Sequence, residues 1–99
     1  MQFMSCHEIQ IIQTISAAHA IKIGNVIEPL HGHDFTFTVR LRAKDLNHDG
    51  LVCDFHELKK ILNSILMPFK NKNINEIPPF NNENPTAEKI AQYVGIQVI

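Results

Sequence analysis

Apolar and polar residues alternate cleanly in Phe-Thr-Phe-Thr-Val-Arg-Leu-Arg, residues 35 to 42. Phe35, Phe37, Val39 and Leu41 share one parity, and Thr36, Thr38, Arg40 and Arg42 share the other. Strand side chains alternate with period two, so the pattern predicts a strand with one buried face and one face that is wet or lines an interface. A less regular alternation runs from Glu8 to Ile21, where Ile11, Ile15, His19 and Ile21 fall on the odd side. Gln10, Thr14 and Ser16 fall on the even side, with Ile12 as an exception. Two strands are therefore expected, near residues 8 to 21 and 33 to 43.

The period then changes. Phe55, Leu58, Ile61, Leu62, Ile65 and Leu66 recur at spacings of three and four, which predicts a helix near 54 to 67. Asp54 can cap it, with Glu57 completing a capping-box-like pair, and Pro68 limits it. A second helix is expected near 86 to 95, starting at Thr86 with Ala87, Ile90, Ala91 and Val94 inward. Gly95 ends it, or it runs on to Ile99. The Asn-rich stretch from Asn71 to Asn84 reads as a loop. The order strand, strand, helix, helix implies an α+β fold: an antiparallel sheet with two helices on one face.

Length and charge narrow the field. Ninety-nine residues make one small domain, 1–99, with a limited core that a metal or an oligomer interface would support. A net charge of -1 gives no basic field for nucleic acid or anionic membrane, so neither is an expected partner. Cys6 and Cys53 make no disulfide framework. With no signal peptide and no run of ~20 apolar residues, they point to the cytoplasm.

Six histidines are the oddity of the composition. His31 and His33 are two apart, so on a strand they share a face, the one carrying Phe35 and Phe37. His19 has the same relation to Ile15. A hairpin of the two strands could bring the three rings together, with Gly32 removing a side chain between two of them. Three neutral imidazoles are a zinc set that leaves one position open, the catalytic rather than structural type. The alternative is hydrogen-bonded core histidines. His7, His48 and His56 lack this geometry and are expected at the surface. Asp45-Leu-Asn47-His-Asp49-Gly50 imitates the start of a calcium-binding EF-hand loop. Its twelfth position is His56 instead of glutamate, and a strand precedes it, so a polar turn is the better reading.

Four blocks occur in order: Ser-Ala-Ala-His-Ala (16 to 20), Pro-Leu-His-Gly-His-Asp-Phe-Thr-Phe-Thr-Val-Arg-Leu (29 to 41), Gly-Leu-Val-Cys-Asp-Phe-His-Glu-Leu-Lys-Lys-Ile-Leu (50 to 62) and Asn-Pro-Thr-Ala-Glu-Lys-Ile-Ala-Gln-Tyr-Val (84 to 94). Together they resemble the 6-pyruvoyl- and 6-carboxy-tetrahydropterin synthase family over nearly the whole chain. The resemblance implies a two-layer tunnelling fold, assembled as a trimer or hexamer. It also implies a Zn2+ ion held by His19, His31 and His33, and a pterin substrate, 7,8-dihydroneopterin triphosphate, whose C6 side chain is remodelled.

The chain departs from that pattern in three places. The family's catalytic cysteine position is Ile27, and Glu28 follows it, as in the branch that makes 6-hydroxymethyl-dihydropterin for folate. Glu28 is thus the candidate catalytic base. The family's Asp-His pair falls on Lys70 and Asn71. The family's last two strands have no counterpart before Ile99, which would leave a sheet edge exposed. Two functions follow. One is a zinc-dependent lyase giving the carboxy compound of the queuosine route or the hydroxymethyl compound of the folate route. The other is a zinc-binding relative without activity.

Overall fold

Two long strands form the frame on which everything else is hung. The computed structural model describes residues 6–99. Strand β1 is His7–His19, β2 is Lys22–Ile23, β3 is Val26–Ile27 and β4 is His31–Ala43. Helix α1 is Phe55–Leu66 and α2 is Ala87–Val98, with short 3-10 turns at Met67–Phe69 and Ile74–Glu76. β1 and β4 pair antiparallel along their whole length, from His7 opposite Ala43 to His19 opposite His31. The small β2–β3 hairpin turns between them, with Gly24 at φ 61. A positive φ there is cheap for glycine and costly for other residues.

The first strand was expected to run to Ile21 and stops at His19, because the chain leaves β4 there to form the small hairpin. The second begins two residues earlier than expected, at His31, so both residues of the His31–His33 pair lie on regular strand.

The parity reading holds along the sheet. Ile11, Ile15 and Ala17 are buried, and Phe35, Phe37, Val39 and Leu41 are half-buried against the same core. The opposite face carries a ladder of cross-strand pairs. Arg42 donates to Glu8 at 2.8 Å and Arg40 to Gln10 at 3.0 Å. Thr14 and Thr36 share a hydrogen bond of 3.0 Å, and Ser16 donates to Asp34 at 2.6 Å. Such pairs fix register, because a slip of one residue would move each apolar side chain to the wet face. The Arg42 hydrogen bond holds the Glu8 carboxyl below its ordinary range and raises the Arg42 guanidinium. The pair's contribution is therefore present above the ordinary carboxylate pKa and is lost as the pH falls through the lowered folded-state value. Ile12, the exception in the alternation, lies on this polar face, 57% exposed.

Both helices cover the apolar face. Leu58, Leu62 and Leu66 of α1 and Ile90 and Val94 of α2 are buried with Ile11 and Ile15. Asp54 caps α1 by accepting from His56 N–H at 2.8 Å. That bond satisfies an N-terminal donor without the reciprocal Glu57 bond of a capping box. Thr86 caps α2 by accepting from Lys89 N–H. Phe55 and Ile61, at the margins of the apolar stripe, remain exposed, as do Ala87 and Ala91, which were expected inward. Phe69, Phe80 and Tyr93 meet edge to face with centroids 5.7 to 5.9 Å apart and close the core below α2. The segment resembling an EF-hand is a turn: Asn47 Oδ1 accepts from Asp49 and Leu51 N–H, and Gly50 takes φ 77.

Leu62 is fully enclosed. Leu62→Ala is expected to cost ~2–5 kcal/mol through lost burial and the cavity left behind. Urea unfolding of the variant, compared with the exposed-site control Ile61→Ala, checks this.

Candidate metal centre

Register brings the three histidines together. His19 stands directly opposite His31, and His33 is two residues further along β4, opposite Ala17. Diagonal neighbours on one face of an antiparallel pair are within reach of ring-sized side chains. The His19 ring lies 4.8 Å from His31 and 5.0 Å from His33, centroid to centroid. Phe35 packs against His19 at 5.0 Å and against His33 at 4.1 Å, walling the cluster on the core side. One nitrogen from each histidine falls within 4.8 Å of the others, an arrangement that can hold a metal ion. His19 is buried, at 6% exposure, whereas His31 and His33 are open to solvent.

The outer nitrogens fix two of the tautomers. His19 Nδ1 is 2.8 Å from the Pro85 carbonyl, His31 Nδ1 is 3.1 Å from the Pro29 carbonyl, and His33 Nδ1 is 3.4 Å from the Asp34 carbonyl. A carbonyl can only accept, so Nδ1 of His19 and of His31 donates and Nε2 of each is the atom left for a ligand, whereas the 3.4 Å His33 contact is too long to set that ring's tautomer. His19 Nε2 and His33 Nε2 then face one another at 3.1 Å. Without a metal, Nε2–H of His33 can donate to Nε2 of His19 at that distance; with a metal, both would present lone pairs to it. Ligands bound tetrahedrally at ~2.0–2.1 Å stand ~3.3 Å apart, so the spacing suits a small divalent metal. Outer-nitrogen hydrogen bonds to carbonyls are the usual means by which a protein orients such ligands.

The segment after His19 is held by residues that no sequence pattern singled out. Asn75 accepts from Ala20 N–H and donates to Ala20 C=O, both at 2.8 Å. Asn84 does the same for Lys22, again at 2.8 Å. These two side-chain amides take the place of a neighbouring strand. Between them, Ile21 N–H donates to Glu28 Oε1 at 3.1 Å and Glu28 N–H donates to Ile21 C=O at 3.0 Å. Glu28 is half-buried, and Oε1 also lies 3.6 Å from His31 Nδ1. The one clue in the sequence was that both asparagines sit just before or within the Pro-rich loop, where side-chain amides often bond backbone.

Asn71 lies beside the site, while the Lys70 N–H is bonded back to Leu66 and Met67. Asn71 takes φ 58, and its N–H donates to Ser16 C=O at 2.6 Å, while Ala18 N–H donates to Lys72 C=O. Asparagine tolerates this left-handed conformation better than most residues. Asn71 shares a hollow with Ser16, His33 and Asp34. Cys6 and Cys53 line a different hollow at the far end of the sheet, with His7 and Phe55. His48 and His56 are exposed and outside the cluster. Gly32 does not separate the two imidazoles as expected: its parity puts it on the other face, and a Cβ there would meet only the Ala17 carbonyl at 3.6 Å, an ordinary contact.

Asn75→Ala would leave both polar groups of Ala20 without that partner, a loss on the order of 1–3 kcal/mol. Asn84→Ala, at the exposed Lys22, is expected to cost less. Chemical denaturation of the two variants tests that order.

Residues 8–98 match the sequence profile of 6-pyruvoyl tetrahydropterin synthase. The chain is 34% identical over 85 residues to the dihydroneopterin monophosphate aldolase of Pyrococcus furiosus, covering 86% of this chain and 68% of that protein. It is 35% identical over 82 residues to a putative 6-carboxy-5,6,7,8-tetrahydropterin synthase of Archaeoglobus fulgidus, covering 83% and 67%. The structure of Caenorhabditis elegans 6-pyruvoyl tetrahydropterin synthase superposes with a TM-score of 0.82 at 22% identity, over 99% of this chain and 80% of that one. A catalytic-residue mutant of Plasmodium vivax 6-pyruvoyltetrahydropterin synthase, glutamate to alanine, superposes at 0.62 with 25% identity, over 70% and 44%. The antiparallel hairpin with two helices on one face is thus the fold of these enzymes, and the chain belongs to the 6-pyruvoyl tetrahydropterin synthase family.

Proposed function

We propose that this chain is a zinc-dependent lyase that cleaves the C6 side chain of a 7,8-dihydroneopterin phosphate, leaving 6-hydroxymethyl-dihydropterin, the folate-route product. His19, His31 and His33 hold the metal, Glu28 is the catalytic base, and the protein works in the cytoplasm as a homo-oligomer, a trimer or hexamer. The observation that carries this reading is the placement of Glu28, anchored at Ile21 and against His31, at the edge of three convergent imidazoles. The residue before it, Ile27, has no ionisable group. Two likenesses support the same branch: the Pyrococcus relative is named as an aldolase, and the Plasmodium relative has a glutamate as a catalytic residue.

Zinc, when bound, supplies positive charge that polarises the oxygens of the substrate side chain. The rest is done by the chain itself. Oε1 of Glu28 is occupied by Ile21 N–H, so Oε2 takes the proton from the hydroxyl on the second side-chain carbon. The bond between the first and second side-chain carbons breaks, and its electron pair passes into the dihydropterin ring. The proton returns to the first carbon, and the remaining fragment leaves as an aldehyde that keeps the phosphate. Pro85, through its carbonyl, keeps the His19 ring in the tautomer that leaves Nε2 free. Phe35 excludes water from the core side.

A second reading is favoured by Lys70 and Asn71. Neither side chain can relay a proton as an Asp-His pair would. On that reading the chain binds zinc without turnover. Incubation with dihydroneopterin triphosphate and, separately, monophosphate, followed by analysis of the pterins formed, separates the two. The hydroxymethyl product supports the lyase; the carboxy product would move the assignment to the queuosine route; no product from zinc-loaded protein favours the inactive relative.

Metal content and turnover give two further expectations. Purified protein is expected to carry one zinc per chain, with His31→Ala, His33→Ala losing it; stoichiometric zinc in that double variant would refute the ligand set. Glu28→Gln is expected to keep zinc and lose ~10²-fold in kcat. Cys6→Ser and Cys53→Ser should keep both, since each cysteine lies away from the imidazoles. Normal turnover by Glu28→Gln would show that the base lies elsewhere.

A further inference from the structure

We propose that Asn84 is a positioning residue: through the backbone of residues 20–22 it aims Ile21 N–H at the Glu28 carboxylate and so holds that carboxylate beside the imidazoles. This rests on the reading of Glu28 as the base and deepens it.

The three residues that follow His19 are each gripped on both backbone groups. Asn75 takes Ala20 N–H and C=O at 2.8 Å, and Asn84 takes Lys22 N–H and C=O at 2.8 Å. Ile21, between them, bonds only to Glu28. Backbone groups of successive residues in a strand-like chain point to opposite sides. The partners alternate in the same way: asparagine, Glu28, asparagine. Fixing Ala20 and Lys22 from one side therefore fixes Ile21 toward the other, where Glu28 lies.

The Glu28 carboxylate does the work of a carbonyl. Lys22 pairs with Ile27 and Ile23 with Val26, so the same register sets Ile21 opposite Glu28. Residues so placed in an antiparallel ladder exchange two N–H···O bonds. The first is present, from Glu28 N–H to Ile21 C=O at 3.0 Å. The second runs from Ile21 N–H to the Glu28 side chain, at 3.1 Å to Oε1. One carboxylate oxygen is thus tethered to the backbone, 3.6 Å from His31 Nδ1, and the other is left for chemistry.

The hairpin cannot supply this precision alone. β2 and β3 pair over two residues each, and all four of those residues are exposed. An isolated two-stranded hairpin is marginal in water, and this one buries no side chain of its strands. The asparagines, by contrast, are rooted in the core. Asn84 precedes Pro85, which is fully buried and whose carbonyl meets His19. The Asn84 C=O accepts from the N–H of Thr86, the cap of α2. Asn75 follows the buried Ile74 in a 3-10 turn. Asn84 is the member that grips the hairpin itself, since Lys22 belongs to β2.

Amide exchange followed by NMR on the purified protein reads the positioning directly. In Asn84→Ala the Ile21 N–H is expected to exchange roughly 10-fold faster, while the Leu62 N–H in the core is unchanged. kcat is expected to fall roughly 10-fold, short of the ~10²-fold that a displaced group can cost, with KM and zinc content unchanged. That loss should vanish in a Glu28→Gln background, because two residues acting through one carboxylate do not lose independently. Losses that multiply, or Ile21 exchange that does not change, would overturn the proposal and leave Glu28 as the base. Full turnover by Glu28→Gln would instead refute the base. The Ile21 exchange then decides alone whether Asn84 places this carboxylate, as it does if the wild type turns nothing over. Asn84→Asp keeps the acceptor for Lys22 N–H and drops the donor. It should give an intermediate exchange rate, and it serves if the alanine variant fails to fold.

Discussion

The register of β1 against β4 is the constraint on which the rest of the structure depends. It places His19 opposite His31 and Ala17 opposite His33, so three imidazoles share one end of one face. A slip of one residue would send His19 to the polar face and Ile11 and Ile15 into water, at a cost the small core could not absorb. Four polar cross-strand pairs, from Glu8–Arg42 to Ser16–Asp34, oppose that slip from the other side of the sheet. The same residues that close the core thereby aim the cluster.

Precision beyond the register comes from the long loop between the helices. It reaches back to the end of β1 and fixes the backbone at Ala20 and Lys22 through Asn75 and Asn84, while the Pro85 carbonyl fixes the His19 ring. Glu28 is tied to the same few residues through Ile21. Ligand, backbone and carboxylate are therefore positioned as one unit by segments far apart in sequence. The left-handed Asn71 and its bond to Ser16 seat the first part of the loop on the free side of β1.

Much of this was legible in the sequence because two signals are strong in it. Strict alternation over Phe35–Arg42 fixed the strand and the face of His31 and His33. Spacings of three and four over Leu58–Leu66 fixed α1. The pairing of His19 with that face followed from its parity with Ile15. The β2–β3 hairpin was not legible: residues 22 to 27 show no alternation long enough to predict an element, and only the chain's departure from β4 after His19 makes the turn. Ala87 and Ala91 share the spacing of a buried stripe, yet they lie exposed, because α2 leans its Ile90 and Val94 side into the core and leaves the small residues over the groove. Asn75 and Asn84 could not be singled out, since a side-chain amide acting as a surrogate strand is a long-range event with no local pattern. Glu28 was singled out only because it follows Ile27 in a block that resembles a known family.

The central claim is that strand register, with the carbonyl contacts at the outer nitrogens, sets three imidazoles where they can hold one metal ion. X-ray absorption at the zinc edge of the purified, zinc-loaded protein tests it most directly. The account expects three imidazole nitrogens at ~2.0–2.1 Å and one further light ligand. Zinc bound through sulfur, or through fewer than three imidazoles, would contradict it.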